Sequence, residues 1–236
     1  MGERRAVNYR LVAIDLDGTV VDRAGFIVPG AAGAVRQLLS RGITVTLATG
    51  RMYQPSTRFA RELGITAPLI CYQGALIRDP SSGETLWHKP LSVPLARRVV
   101  AEIRHLGMHQ YAYVDGEIYV EEFTERDLVY AQNNGVQLRL VEDLLAVAER
   151  QPTEIAARGS PDEIERLLAH LRSRCAGEII VNKIHTSFCE VANSDSGKGN
   201  ALSFLASRLG IRREETVAIG DSPNDISMLQ WAGIGI

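Results

Sequence analysis

The segment Leu11–Thr19, with the sequence LVAIDLDGT, decides the fold. Its first four residues are apolar and predict a buried strand. Asp15 and Asp17 follow one residue apart, and a buried strand accommodates two carboxylates only where it ends. In an extended segment these side chains point the same way and repel each other unless a cation or a shared proton neutralises them. A divalent ion with oxygen ligands, most simply Mg²⁺, suits this arrangement, although the pattern alone also fits a strand followed by an Asp/Gly turn.

The bulk composition argues against several classes of protein. The chain has 236 residues and a formal net charge of −2, without a long basic block, so a nucleic-acid partner is not expected. No run of about 18 apolar residues occurs, so we expect neither a membrane span nor a secretory signal. The three cysteines are scattered and without a CxxC pair, which favours free thiols and a cytoplasmic location.

The first 75 residues alternate between apolar strand patterns and helical patterns. After the strand at Leu11 comes a helical pattern, then a β-rich run that leads to Thr49-Gly50-Arg51, a second helical pattern and a third apolar run. This alternation predicts an α/β fold with a doubly wound, parallel, Rossmann-like sheet. Ligands of such sheets bind at the carboxyl ends of the strands, which is where Asp15, Asp17 and Thr49 fall.

The pattern changes between about residues 79 and 190. Hairpin and helix patterns mix there, including two strands joined by the favoured turn Asp115-Gly116, and the mixture predicts an inserted α+β domain. Alternation then resumes, with a short apolar strand that ends in GDSPND at residues 220–225. The expected domains are a first core segment (residues 1–78), an insert (79–190) and a second core segment (191–236).

Polar residues follow three of the predicted strands, and a lysine lies at the start of a helix. These residues are Asp15, Asp17, Thr49, Lys198, Asp221 and Asp225. Singly each signal is weak, since GDSPND also fits the N-cap of a helix. Together, acidic groups for a cation and donors for an anion are what phosphoryl transfer requires. No Walker-type loop occurs, so a nucleoside triphosphate site of that kind is not indicated.

These segments, taken together, resemble the four motifs of the haloacid dehalogenase-like (HAD) superfamily. D-x-D-G-T, T-G-R, a lysine before a helix and G-D-x-x-N-D occur in that order, over nearly the whole chain. The insert between the second and third motifs resembles the C2-type cap of the Cof-like sugar phosphatases. The resemblance implies a Mg²⁺-dependent phosphatase of small phosphorylated metabolites, such as sugar phosphates, that works through an aspartyl-phosphate.

The resemblance also implies roles for individual residues. Asp15 would be the nucleophile, and Asp17 would be the general acid and then the general base. The group that binds phosphate or substrate would comprise Leu16, Thr49, Gly50, Arg51, Lys198 and Asn224. The Mg²⁺ ligands would be Asp15, the backbone carbonyl of Asp17, and Asp221, with Asp225 behind them, orienting Lys198 or the metal-bound waters. For Arg51, the residues alone leave open whether it contacts substrate or forms a salt bridge.

Two features depart from the family pattern. Gln73-Gly74-Ala75 stands where Cof-like proteins usually have Asn-Gly-Ala, so any contact made there would shift by one methylene. Relatives also usually run on past the final strand, whereas this chain ends at Ile236, so we expect a closing strand and helix of the core to be missing.

Two alternatives to a phosphatase stay open. A phosphomutase or phosphotransferase on the same core would pass the phosphoryl group to a sugar hydroxyl instead of to water, and Asp17 would serve in both reactions. A non-catalytic binding protein is disfavoured, because all four key polar residues are intact, namely Asp15, Asp17, Lys198 and Asp221. The sequence indicates neither the individual substrate nor the oligomeric state.

Overall fold

The structure, a computed structural model, describes residues 8–236. The chain forms two compact units. The core unit comprises the residues up to Trp87 together with Gly197–Ile236, and the inserted unit comprises His88–Ser196. Within the described residues, no helix has both the length and the hydropathy of a membrane span.

The first segment of the chain alternates strands and helices before it ends in a hairpin. Its elements are β1 (Leu11–Ile14), α1 (Pro29–Ser40), β2 (Thr44–Leu47), α2 (Tyr53–Leu63), β3 (Leu69–Cys71), β4 (Leu76–Arg78) and β5 (Thr85–His88).

The inserted unit mixes helices with a six-stranded sheet. Its elements are α3 (Val93–His105), β6 (His109–Val114), β7 (Glu117–Val120), α4 (Glu125–Asn134), β8 (Gln137–Leu140), α5 (Leu144–Ala148), β9 (Glu154–Arg158), α6 (Pro161–Arg174), β10 (Ile179–His185) and β11 (Phe188–Asn193). The predicted turn between β6 and β7 is present, with left-handed backbone at Asp115 and Gly116.

The last segment returns to the core unit. Its elements are α7 (Lys198–Arg208), β12 (Thr216–Ile219), α8 (Ile226–Trp231) and β13 (Ile234–Gly235). Helices α7 and α8 pack against one face of the core sheet, in an apolar cluster with Leu11 and Ala13.

The core sheet is parallel, with the order β13-β12-β1-β2. Ile14, Ile219 and Leu47 are the last residues of β1, β12 and β2, and they lie in one row across the sheet. The next residues of all three strands therefore emerge at the same edge. This edge is the carboxyl end, where α/β sheets bind their ligands. The predicted α/β class, a parallel-sheet core with an inserted α+β unit, is confirmed.

The boundaries of the units differ from those expected from the sequence. The hairpin of β4 and β5 belongs to the core unit, because β4 pairs antiparallel with β3. Trp87 at its end packs on Phe204 of α7, with ring centroids 4.9 Å apart, and its indole N–H donates to the Gly74 carbonyl at 3.0 Å. The units therefore divide after residues 87 and 196 rather than 78 and 190.

Local signals in the sequence mark several helix ends. α1 begins at Pro29, whose fixed φ suits a first helical turn. α2 ends at Gly64, which is left-handed at φ 74°. Ser160 and Glu163 form a capping box at the start of α6. The three cysteines are free and buried, in agreement with the expectation of free thiols.

Candidate active site

Asp15 is the first residue after β1, and its backbone places it between two strand ends. Its N–H donates to the Ile219 carbonyl of β12 at 2.8 Å, which continues the sheet pairing by one residue. The side chain is buried. Burial of a carboxylate requires a partner of opposite charge or a hydrogen-bond donor.

Lys198 is that partner, and it is shared with a second carboxylate. Its Nζ donates to Oδ1 of Asp15 at 2.5 Å and to Oδ1 of Asp225 at 2.6 Å, and the lysine side chain is fully buried. Lys198 is the first residue of α7 and follows Gly197, whose φ of 113° turns the chain into the helix. One ammonium between two carboxylates leaves a net negative charge in a dry environment.

The pKa of Asp15 reflects this balance. Burial raises it from 3.8 to about 6, because desolvation outweighs the attraction and the hydrogen bond of Lys198. The charge of Asp225 raises it further, and a backbone hydrogen bond from Leu16 lowers it. Leu16 itself has a buried side chain, and its carbonyl accepts hydrogen bonds from the N–H groups of Val20 and Val21.

Asp221 approaches the β1 loop from the end of β12. Gly18 has a φ of 94°, and a Cβ there would lie 2.5 Å from Oδ2 of Asp221, so a glycine is required on both counts. The hydroxyl of Thr19 donates to Oδ1 of Asp221 at 3.2 Å. The D-G-T segment therefore brings a third carboxylate close to Asp15.

Asp15, Asp221 and Asp225 form a cluster suited to a hard divalent ion. One carboxylate oxygen from each lies within 4.8 Å of the others. Carboxylate oxygens are the ligands that Mg²⁺ prefers, so the donor set fits the predicted cofactor. The carboxylate of Asp17 does not belong to this cluster.

Asp17 is instead held by Arg51. The guanidinium donates from Nε to Oδ2 at 2.8 Å and from Nη2 to Oδ1 at 2.6 Å, while about half of the Asp17 side chain remains exposed. The Arg51 guanidinium also lies over the ring of Phe59, 5.0 Å from its centroid. Of the two possibilities left open for Arg51, this structure has the salt bridge.

The remaining predicted residues follow β2 and β12. Thr49 is fully buried, and its hydroxyl accepts a hydrogen bond from the N–H of Arg51 at 3.1 Å. Asn224 donates from Nδ2 to Oε1 of Gln73 at 2.8 Å. Gln73 also lies against Gly50, where an added Cβ would be 2.1 Å from its Nε2. Gln73 is not among the residues predicted to form the site, and its only signal in the sequence is the departure from Asn-Gly-Ala.

Comparison with known proteins agrees with this architecture. The sequence model of the haloacid dehalogenase-like hydrolases matches residues 12–236. The chain belongs to this family. The predicted membership of the HAD superfamily is therefore confirmed.

Individual relatives of this HAD protein cover nearly its whole length. A protein from Serratia proteamaculans named HMP-PP phosphatase is 28% identical, over 97% of this chain and 83% of its own. A Bacillus subtilis protein named 5-amino-6-(5-phospho-D-ribitylamino)uracil phosphatase is 24% identical, over 96% of this chain and 85% of its own. The solved structure of a haloacid dehalogenase-like hydrolase from Bacteroides thetaiotaomicron superposes with a TM-score of 0.84 at 26% identity. The match covers 96% of this chain and 86% of that one. The predicted enzyme class, a hydrolase of the phosphatase type, is confirmed.

Proposed function

We propose that this HAD hydrolase is a Mg²⁺-dependent phosphatase that removes the phosphoryl group from a small phosphorylated metabolite through an aspartyl-phosphate on Asp15. The observation that carries the proposal is the buried Lys198, which contacts Asp15 at 2.5 Å and Asp225 at 2.6 Å. A lysine fixed beside a nucleophilic carboxylate lies where charge develops during phosphoryl transfer.

In the first step, an oxygen of Asp15 attacks phosphorus and the bond to the leaving oxygen breaks. Asp17 enters this step in its protonated form and gives that proton to the leaving oxygen, and Arg51, which donates two hydrogen bonds to the Asp17 carboxylate, positions it. In the second step Asp17 takes a proton from the water that attacks the aspartyl-phosphate, so Asp15 is released with inorganic phosphate. Atoms and charges balance over the cycle, and one group serves as acid and then as base.

The phosphoryl oxygens would be bound by donors from the loop after β2 and from Asn224. We assign this role to the hydroxyl of Thr49, the N–H of Gly50 and the amide of Asn224, together with Lys198. Asp15, the backbone carbonyl of Asp17, and Asp221 would hold Mg²⁺, which supplies positive charge to the phosphoryl oxygens when bound. Asp225 bonds Lys198 and also accepts from the N–H of Ser222 at 3.0 Å, so we assign it the orientation of the lysine.

The named relatives support a proposal for the substrate class. Two of them bear the names of phosphatases for HMP-PP and for a ribitylaminouracil phosphate. Both names denote phosphatases of small phosphorylated compounds. We therefore infer a phosphorylated metabolite of that size, sugar phosphates included.

Hydrolysis of a generic aryl phosphate tests the proposal directly. We expect the wild-type protein to release phosphate with Mg²⁺ and to stop when a chelator is added. Asp15→Asn should lower kcat by roughly 10³-fold or more, as removal of a nucleophile does. The matched control is Asp115→Asn in the β6–β7 turn, where an exposed aspartate in left-handed backbone is replaced by a residue that also tolerates it.

Two outcomes would contradict the proposal. Activity of Asp15→Asn equal to that of Asp115→Asn would exclude Asp15 as the nucleophile. A folded wild type without hydrolysis would be tested with beryllium fluoride and Mg²⁺. Binding of this phosphoryl mimic by the wild type and not by Asp15→Asn would retain the aspartyl-phosphate site, and a panel of metabolite phosphates would then replace the aryl probe. No binding would refute it.

A further inference from the structure

Residues Tyr72, Gln73 and Gly74 are left-handed at three successive positions. Their φ angles are 51°, 53° and 95°. Two of the three are not glycine, and both of those are buried. Such conformations are sparsely populated because of clashes with Cβ, and they persist only where the surroundings fix them.

The fixing contacts come from the loop after β2 and from the start of α7. The N–H of Tyr72 donates to the Arg51 carbonyl at 3.0 Å, and the N–H of Gln73 donates to the Thr49 carbonyl at 3.1 Å. At Gly74, a Cβ would lie 2.4 Å from the carbonyl group of Gly197. The turn is thus held between the Thr49–Arg51 loop and the residue that precedes Lys198.

The left-handed backbone of this turn places the Gln73 side chain between Gly50 and Asn224. Its amide lies on Gly50, at a distance that excludes any Cβ there, and accepts a hydrogen bond from Asn224 at 2.8 Å. Gln73 therefore bridges two segments to which the proposed function assigns phosphate binding. An apolar residue could fill the same space but could not fix the orientation of the Asn224 amide.

The amide of Asn224 has one atom left over. Its Oδ1 is buried and has no hydrogen-bond partner among the described residues. Rotation of both amides keeps the bond between them, with Nε2 of Gln73 donating to Oδ1 of Asn224. The Nδ2 of Asn224 then becomes a donor for a phosphoryl oxygen. In this arrangement both polar atoms of the Asn224 amide have a hydrogen-bond partner, Oδ1 from Gln73 and Nδ2 from the phosphoryl group.

We propose that Gln73 is a positioning residue, which orients the Asn224 amide toward the phosphoryl group and sets its spacing from Gly50. The inference rests on the proposed function, since it takes Asn224 as a phosphate ligand. On this proposal, the role of the left-handed backbone at residues 72–74 is to direct the Gln73 side chain toward Asn224.

A double-mutant cycle tests whether Gln73 acts through Asn224. The variants are Gln73→Ala, Asn224→Ala and the pair, with KM for an aryl phosphate and Kd for inorganic phosphate as readouts. Gln73→Ala should raise both constants roughly tenfold, the value of one hydrogen bond. In the Asn224→Ala background the same change should have little effect, because its partner is already absent. Gln37→Ala, an exposed glutamine on α1, is the control.

Gln73→Asn separates positioning from folding. Asparagine tolerates left-handed backbone better than glutamine does, so this variant should unfold at a temperature no lower than the wild type. Its side chain is one methylene too short to reach Asn224, so KM and the Kd of phosphate should still rise as in Gln73→Ala. If Gln73 served only to stabilise the fold, Gln73→Asn would keep both the stability and the phosphate affinity of the wild type.

Additive effects in the cycle, or wild-type affinity in Gln73→Asn, would overturn the inference. A wild type without aryl phosphatase activity would count against the proposed function alone, and the cycle would then be decided by the Kd of inorganic phosphate. A wild type that neither hydrolyses the aryl phosphate nor binds inorganic phosphate or beryllium fluoride would overturn both.

Discussion

Arg51 and Asp17 form a two-pronged ion pair, with Nε to Oδ2 at 2.8 Å and Nη2 to Oδ1 at 2.6 Å. The two residues follow different strands, β2 and β1, and are 34 positions apart. A fork of this kind fixes the plane of a carboxylate as well as its position. An acid–base group gains from such fixing, because proton transfer depends on its geometry.

Loss of the fork should therefore slow the reaction more than it weakens binding. We expect Arg51→Ala to lower kcat for an aryl phosphate roughly 10-fold to 100-fold, with a smaller change in KM. Arg51→Lys keeps the charge but loses the planar fork, so it should remain close to Arg51→Ala. Steady-state kinetics at saturating Mg²⁺ measure both.

The control for this prediction lies on α2, the helix that follows Arg51. Arg58 is exposed, and its guanidinium covers the same Phe59 ring as that of Arg51, at 4.3 Å from the centroid. Arg58→Ala should leave kcat within about twofold of the wild type, since surface substitutions of this kind change little. Equal losses in Arg51→Ala and Arg58→Ala would assign the effect to packing on the ring. Full rescue by lysine would assign it to charge alone.

Lys198 should be as important for stability as for chemistry. Lys198→Met removes the ammonium between Asp15 and Asp225 and leaves two buried carboxylates facing each other. We expect a loss of about 3–5 kcal/mol in the free energy of unfolding at neutral pH, measured by urea denaturation. The loss should shrink as pH falls toward about 6, because Asp15 without the lysine takes up its proton at a higher pH than it does beside the lysine.

Lys183→Met provides the comparison. This lysine pairs with Glu165 on the exposed surface of the inserted unit, and such pairs contribute about 0–1 kcal/mol. The variant Lys198→Met/Asp225→Asn should recover part of the loss, because it removes one of the two unpaired charges. A loss that does not depend on pH would exclude carboxylate repulsion as its cause.

The sequence was sufficient to predict where most of the site residues would lie. Asp15, Thr49 and Asp221 follow apolar runs that could only be buried parallel strands, and strands of such a sheet end at a common edge. Helix ends such as Gly64 follow from backbone conformation alone. These features depend on local patterns of two or three residues, which the sequence contains directly.

The features that were missed depend on tertiary contacts. The partner of Arg51 stayed open because its long side chain can reach several groups, and only the packed loops select Asp17. Left-handed backbone at Tyr72 and Gln73 is opposed by the preferences of these residues and is held by hydrogen bonds from Tyr72 to Arg51 and from Gln73 to Thr49. Strand β5 falls within the insert expected over residues 79–190, because the composition of the β4–β5 hairpin does not reveal that it pairs with β3.

Asp127 in the inserted unit should stabilise the fold at neutral pH and not in acid. Burial raises its pKa, but hydrogen bonds from the Tyr111 hydroxyl and from Thr124, together with the charge of Arg158, outweigh burial and lower the pKa below 3.8. A carboxyl group whose pKa is lowered by folding contributes stability that is present above its pKa in the unfolded state. This stability is lost as pH falls through its pKa in the folded state. Asp127→Asn should cost about 1–3 kcal/mol at pH 7.

The measurement for Asp127 is urea unfolding of wild type and variant between neutral pH and about pH 3. The difference between them should narrow as the pH falls below 3.8, the ordinary value for aspartate. Asp162→Asn, an exposed aspartate in the first turn of α6, should change stability by less than about 1 kcal/mol. A difference that persists in acid would mean that the shape of the side chain matters and its charge does not.

Glu154 should have the opposite dependence on pH. Its carboxyl is buried on β9 opposite Tyr113 of β6, and its Oε1 has no hydrogen-bond partner among the described residues. Burial, and then the charge of Glu190, raise its pKa well above 4.5. A carboxyl group whose pKa is raised by folding contributes its full stability below 4.5, its pKa in the unfolded state. This stability is lost as pH rises. Glu154→Gln removes this loss, so it should become progressively more stable than the wild type as pH rises above 4.5.

Glu165→Gln gives a control of opposite sign. A hydrogen bond from Lys183 lowers the pKa of this exposed glutamate, so its variant should become slightly less stable than the wild type as pH rises toward 4.5, with no further change above that pH. Thermal unfolding from pH 4 to pH 8 measures all three proteins. A constant difference between wild type and Glu154→Gln would require a charged Glu154 satisfied by a donor. The buried Glu154 beside the charge of Glu190 would then not destabilise the inserted unit as pH rises.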